Sequence, residues 1–178
     1  MASILAFAGS NSSTSINYEL VKYTVSKIKN IPVRQLNMAH YPFPMYSEDL
    51  EREKGFSNSL VELSKDIKKS AGLIISVNEH NGNPSAYFKN LIDWLSRLDR
   101  QFMDGKKVLL MSTSPGRAGG EHSLTKIQDT IPRFGAEIVA TFSLPSFGRN
   151  FSTEDKKITD NGLREEHQEA LDRFLKEV

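Results

Sequence analysis

Three short stretches hold the residue types that can do chemistry. The first is Gly9-Ser10-Asn11-Ser12-Ser13-Thr14-Ser15-Ile16-Asn17, which carries five hydroxyl side chains, one glycine and two asparagines. The second is Asn78-Glu79-His80-Asn81-Gly82, and the third is Ser112-Thr113-Ser114-Pro115-Gly116-Arg117-Ala118-Gly119-Gly120. The first stretch follows a nearly continuous apolar run, Ser3–Ala8, as expected of a strand buried on both faces. It precedes Ile16, Leu20, Thr24 and Ile28 at helical spacing, so a helix is expected to begin near Ser15. A strand, a hydroxyl-rich loop and a helix together form an anion cradle: backbone N–H groups and the positive end of the helix dipole point at the loop. Ser and Asn also favour such positions as plain helix caps. One cap uses one such residue, whereas this loop supplies seven.

The loop contains no Gly-Lys-Ser/Thr and no Gly-x-Gly-x-x-Gly, so it is neither a Walker loop nor a dinucleotide fingerprint. A hydroxyl-rich, lysine-free cradle suits a terminal monophosphate that needs no Mg²⁺, which points to flavin mononucleotide (FMN) rather than ATP. Ser10, Ser12, Ser15 and Asn17 are the expected donors, together with backbone amides. Asn78, Glu79, His80 and Asn81 would reach the flat ring system of such a ligand. The third stretch lets the backbone approach closely, because glycine has no Cβ. Arg117 either places a positive charge near the ring or an anionic substrate, or simply faces solvent. Glu79 and His80 invite an acid–base role, since histidine titrates near neutral pH. Hydride transfer to a bound flavin needs no protein base, however, so His80 and Arg117 rank as assistants and no side chain is assigned as catalytic. His40, His122 and His167 have no ligand spacing, and no metal site is expected.

The remaining sequence must position these loops. Apolar runs at 3–8, 31–36, 72–77, 107–112 and 136–140 read as strands, the second nearer a sheet edge because of Pro32. Between them lie helical patterns, marked by Phe56, Leu60, Leu63 and Ile67, by Phe88, Leu91, Ile92 and Leu95, and by Leu124, Ile127 and Ile131. A last helix carries His167, Ala170, Leu171 and Phe174 on its buried face. Residues 37–55 and 143–162 read as long connections, the first with the aromatic and proline-rich Tyr41-Pro-Phe-Pro-Met-Tyr46. Trp94 fits either the core or a dimer face. Strict β-α alternation predicts an α/β fold, a five-stranded parallel sheet in the order 2-1-3-4-5 with helices on both faces. In that order strands 1, 3 and 4 are neighbours and the switch point lies between 1 and 3. The three unusual loops follow those strands, so they should converge on one crevice, where ligands bind such sheets.

At 178 residues the chain fits a single domain spanning 1–178. Lys and Arg number 23 against 22 Asp and Glu, a net charge of +1, which argues against a bulk nucleic-acid binder and against a very acidic electron carrier. There is no cysteine, which excludes disulfides, thiol redox chemistry and Cys-ligated zinc. No apolar run approaches a membrane span, and no basic segment precedes the first apolar run, so the expectation is a soluble cytoplasmic protein without a signal peptide.

On these residues the chain resembles the NAD(P)H-dependent FMN reductase family of flavodoxin-like proteins, which includes quinone, azo-dye and chromate reductases. Gly9-Ser10 followed by Ser15 and Asn17 matches the family's opening signature of Gly-Ser and, four residues on, Ser-x-Asn. Asn78-Glu79-His80-Asn81, then Phe88-Lys-Asn-Leu-Ile-Asp-Trp-Leu-Ser96, stands where the family carries Pro-Glu-Tyr-Asn and Leu-Lys-Asn-Ala-Ile-Asp-Trp-Leu-Ser. Ser112-Thr-Ser114-Pro-Gly116 matches a looser Ser-x-Ser-x-Gly turn, and Tyr46-Ser-Glu-Asp-Leu50 resembles the loop after strand two. The resemblance implies FMN as cofactor and NAD(P)H as co-substrate. It implies ping-pong hydride transfer through N5 of the flavin to a small electron acceptor: a quinone, free flavin, azo compound or metal oxyanion. It also implies a homodimer or homotetramer. The cofactor-binding set carried over is Ser10, Ser12, Ser15, Ile16, Asn17, Asn78, Glu79, His80, Asn81, Ser112, Ser114 and Gly116. Ser12 stands where many members have Arg, and Asn78 and His80 replace the usual Pro and Tyr, which changes the chemistry of the ring-contacting loop. The competing readings are an electron carrier reduced by a separate partner, and a non-catalytic descendant with weakened flavin binding.

Overall fold

The computed structural model describes residues 3–178, and its element order follows from where the apolar runs fall. Five parallel strands, β1 (Ile4–Ala8), β2 (Val33–Leu36), β3 (Gly72–Val77), β6 (Lys107–Thr113) and β7 (Glu137–Leu144), form one sheet in the order β2-β1-β3-β6-β7. Numbered within the sheet alone, that is 2-1-3-4-5. β1 and β3 are buried at every position, as central strands covered on both faces must be. Alternate residues serve opposite cores. Leu5, Phe7, Leu73 and Ile75 pack with α3 (Asn58–Lys69), α4 (Ala86–Leu98) and α5 (Glu121–Thr130) on one face. Ile4, Ala6, Ile74, Leu109 and Met111 pack with α1 (Ile16–Ser26) and α7 (Asn161–Leu175) on the other.

Both supposed connections hold structure. Residues 37–55 contain a 3-10 turn (Met38–His40) and α2 (Glu48–Lys54), the latter capped by Ser47 accepting from Leu50 N–H and bearing three acidic residues in its first turn. The stretch 143–162 completes β7, which runs to Leu144 rather than stopping at 140. It then forms α6 (Phe147–Asn150) and a hairpin of β8 (Phe151–Ser152) with β9 (Lys157–Ile158). That hairpin survives because Phe151 and Ile158 are buried in the second core. Trp94 is core: its ring is buried, and its Nε1 donates to Pro44 O at 2.8 Å. His167 is also buried, with Nε2 2.8 Å from Thr24 Oγ1, beside Tyr23 and Phe142. Burial disfavours the imidazolium and lowers the His167 pKa to about 4. Among the described residues no helix is long and apolar enough to cross a membrane.

Candidate flavin site at the switch point

The crevice lies where the carboxyl ends of β1, β3 and β6 meet, and the chain closes its floor with one side chain. Asn17, in the first turn of α1 and 2% exposed, accepts from Ser76 Oγ–H at 2.7 Å and from Thr113 N–H at 3.0 Å. Its Nδ2 donates to Thr113 O at 3.1 Å. One amide therefore ties α1 to β3 and β6. Its side-chain hydrogen bonds go to the sheet, so the amide also positions the loop that starts α1.

Above that floor the hydroxyls of the first loop are arranged around the start of α1. Ser15 is the N-cap, its oxygen accepting from Tyr18 N–H at 3.2 Å. Ser10 Oγ accepts from Ser12 N–H, and Ser12 Oγ accepts from Thr14 N–H, each at 3.3 Å. A hydroxyl that accepts a backbone N–H keeps its own hydrogen to donate. The N–H groups of Ile16 and Asn17, in the first helical turn, have no intrahelical acceptor. Hydroxyl and amide donors thus converge where the helix dipole favours negative charge.

The second loop is a tight hairpin of β4 (Glu79–His80) with β5 (Asn83–Pro84). Asn81 (φ +54°) and Gly82 (φ +69°) form its two-residue turn, as the Asn-Gly preference for positive φ at both positions explains. Glu79 anchors the hairpin: its Oε2 accepts from Ser123 N–H at 3.1 Å, in the first turn of α5, while Ser123 Oγ–H donates to Asn78 O at 2.9 Å. The carboxylate so caps a helix that has no side-chain cap of its own. Asn78 and His80 remain at the crevice, Nδ2 of one 3.2 Å from Nε2 of the other. Asn78 Oδ1 is buried without a hydrogen-bond partner among the described residues.

In the third loop Ser112 Oγ–H is turned inward, donating to Gly119 O at 2.8 Å, and Thr113 Oγ1–H donates to Leu144 O at 2.8 Å. Gly119 (φ +60°) cannot be replaced without strain, since a Cβ there would lie 3.0 Å from the Leu144 carbonyl carbon. Gly116 O accepts from Ser146 N–H at 2.8 Å, and Arg117 is exposed.

Together the three loops line a crevice of about 200 Å³, partly open to solvent. Nine of the twelve sequence-assigned residues line it: Ser10, Ser12, Ser15, Ile16, Asn17, Asn78, Glu79, His80 and Ser114. Asn81, Ser112 and Gly116 do not, and neither does Arg117: Asn81 sits at the hairpin tip, Ser112 faces the core, and Gly116 braces the loop backbone. The lining residues missed are Thr14, Thr113 and Pro115. Thr14 and Thr113 share the hydroxyl character that singled out their neighbours, so that signal was present. A second chamber of about 420 Å³ adjoins the crevice and shares Ser10, Ser12, Asn78 and His80 with it. Its other walls include Phe43, Met45 and Tyr87. An apolar cavity of about 180 Å³ is lined by Phe43, Pro44, Leu50, Leu60 and Trp94, and none of the three loops reaches it.

The lining residues fit a phosphate-bearing flavin. Ser10, Ser12, Thr14, Ser15 and the first-turn amides of α1 would take the phosphate, and the orphaned Asn78 Oδ1 is an acceptor that a bound N–H or O–H satisfies.

A doubly wound sheet with a hydroxyl-lined crevice at its switch point defines a flavodoxin-like nucleotide-binding domain. The chain belongs to the NADPH-dependent FMN reductase family, a family of flavin-dependent oxidoreductases, whose profile matches residues 2–147. It is 39% identical over 77 residues to a quinone reductase of Escherichia coli (strain K12), a stretch covering 43% of this chain and 41% of that relative. The match thus spans less than half of the relative's length. It is 26% identical over 129 residues to an NAD(P)H-dependent FMN reductase of Pseudomonas aeruginosa, covering 72% of this chain and 68% of that protein. FerB, a flavoenzyme NAD(P)H:(acceptor) oxidoreductase from Paracoccus denitrificans, shares the fold with a TM-score of 0.76, at 21% identity over 99% of both chains.

Proposed function

We propose that this chain binds FMN in the switch-point crevice and catalyses NAD(P)H oxidation coupled to reduction of a small acceptor. The observation that carries the reading is the convergence of all three loops, nine of the assigned residues among them, on one crevice. Family membership and the quinone reductase and FMN reductase relatives support it. When bound, FMN supplies a two-electron relay between nucleotide and acceptor. The chain's own residues hold the phosphate through hydroxyls and amides, fix the hairpin through Glu79, and leave Asn78 and His80 at the ring-side boundary. No side chain is needed to take or give a proton at the reacting atoms, so the protein's contribution is binding and orientation. A homodimer or homotetramer and a cytoplasmic location belong to the same reading.

Steady-state oxidation of NADH and NADPH by FMN-loaded protein, with quinone, azo, flavin and oxyanion acceptors, tests it. Parallel double-reciprocal lines are expected for ping-pong turnover. Absence of oxidation with every acceptor on a flavin-loaded sample would overturn the enzyme reading in favour of a carrier or a non-catalytic domain.

A further inference from the structure

Among the described residues, neither the crevice nor the chamber beside it is lined by Lys or Arg. His80, which lines both, is the only lining side chain of a type that becomes a cation at ordinary pH. The other titratable groups around it are engaged elsewhere. Burial pushes the Tyr87 phenol of α4 well up, so it stays neutral. The Glu79 carboxylate, next to His80 on the hairpin, is held from α5 by Ser123 N–H at 3.1 Å, with His122 Nδ1 at 3.4 Å. Lys126 of α5 donates to Asn83 Oδ1 across the hairpin at 2.6 Å. Arg117 of the third loop is exposed and lines neither space. A phosphate-bearing ring that gains electrons therefore brings negative charge to a space with no fixed cation to balance it.

His80 also has a partner that answers to its proton. Asn78 Nδ2–H donates to His80 Nε2 at 3.2 Å, and Asn78 Oδ1 is left buried without a partner among the described residues. A neutral imidazole nitrogen that accepts a hydrogen bond carries no hydrogen, so the ring hydrogen sits on Nδ1. A proton added at Nε2 turns that nitrogen from acceptor into donor, and the amide must turn over to meet it. The turn keeps the amide's shape, gives Oδ1 the hydrogen bond it lacks, in charge-assisted form, and carries Nδ2–H to the place that Oδ1 held. The base of the turn is fixed, because Ser123 Oγ–H donates to Asn78 O at 2.9 Å. We propose that His80 and Asn78 form a proton-linked amide switch: His80 takes up a proton at Nε2 as the bound ring gains electrons, and Asn78 turns over to offer Nδ2–H to the charge that develops. The inference rests on the proposed oxidoreductase reading and deepens it, with both residues in a positioning role. The nucleotide gives the ring a hydride, which is two electrons and one proton. Solvent supplies the second proton, which rests on His80, balances the ring's negative charge, and leaves when the acceptor takes the electrons.

Two measurements test the switch. The first takes FMN-loaded protein and follows the midpoint potential of the two-electron reduction against pH around neutrality. Each proton taken up with the electron pair adds about 30 mV per pH unit to the slope. Wild type should take up two protons, whereas His80→Gln, which keeps a hydrogen-bonding partner for Asn78 but cannot titrate, should take up one. His122→Gln should match wild type, and Asn78→Ala should fall short of two. Equal slopes in wild type and His80→Gln overturn the inference, and an undiminished slope in Asn78→Ala overturns the amide's part in it. The second takes the protein without FMN and follows its nitrogen–proton NMR spectrum through the imidazole titration. The Asn78 side-chain amide signals should move in step with the His80 ring and stand still in His80→Gln. An Asn78 amide that ignores the His80 titration overturns the switch whether or not flavin binds. A protein that binds no FMN sinks the oxidoreductase reading, and the second measurement then decides the switch by itself.

Discussion

Replacing Asn17 by alanine removes the amide that ties α1 to β3 and β6. Three hydrogen bonds are lost, from Ser76 Oγ, from Thr113 N and to Thr113 O, all of them buried. At about 1 kcal/mol net for each, with partners left unpaired in the interior, the loss should come to about 3 kcal/mol. For a domain of this size 1 kcal/mol moves the melting temperature by about 2–4 °C, so Asn17→Ala should melt roughly 6–12 °C lower. Ser76→Ala removes one of the three bonds and should cost about a third as much. Because the two residues share that bond, the double variant should lose less than the sum of the singles. FMN affinity should fall as well, by about tenfold if half of the lost energy held the first loop in its binding geometry. Calorimetric melting of the four proteins checks this, with FMN fluorescence quenching for affinity. A shift below about 2 °C in Asn17→Ala, or strict additivity with Ser76→Ala, would refute the role given to Asn17.

Three further predictions concern other parts of the frame. Glu79→Ala leaves Ser123 N–H without its acceptor and removes the negative charge at the start of α5, so the domain should lose about 1 kcal/mol and the first turn of that helix should exchange its amide hydrogens faster. Unchanged exchange there would contradict the capping role. His167 has its pKa lowered from 6.5 to about 4, so between those values the unfolded chain binds a proton that the native state does not. Stability should therefore fall as pH drops from 6.5 to 4, by roughly 3 kcal/mol from this residue, and His167→Phe, placed between Tyr23 and Phe142, should flatten that part of the urea-midpoint profile. Equal slopes in both proteins would remove His167 as the cause. Gly119→Ala forces a left-handed backbone on alanine and drives its Cβ against the carbonyl carbon of Leu144, so it should cost about 2 kcal/mol or more and loosen the third loop, read as a lower melting temperature and weaker FMN binding.

Much of the frame was legible because its signals are local. Continuous apolar runs marked the buried strands, and their alternation with helical periodicity left the order of the sheet nearly determined. The convergence of three loops followed from that order. What escaped was orientation and partnership. A serine or asparagine reads the same whether it faces a ligand or the core. Ser112 and Asn17 are expected as ligand contacts; in the structure Ser112 Oγ–H bonds Gly119 O in its own loop, and the Asn17 amide bonds β3 and β6. Asn81 drew attention as a polar loop residue, although Asn-Gly is the two-residue hairpin signal that the structure realises. Likewise Ser47 followed by Glu48, Asp49 and Glu51 is a helix start, obscured by the aromatic and proline run before it. The holding of the Pro44 and Tyr46 backbone by Asn90 and Trp94 could not be read locally, since it joins residues more than forty positions apart.

The central claim is that the switch-point crevice holds FMN in a form that NAD(P)H can reduce. A visible absorption spectrum of the purified protein, recorded before and after FMN and then after anaerobic NADPH and NADH, tests it most directly. The account predicts flavin bands that stay with the protein through gel filtration, weaken in Asn17→Ala, and bleach within the mixing time on addition of a nicotinamide nucleotide. A protein that remains colourless, with free FMN eluting separately, would contradict it.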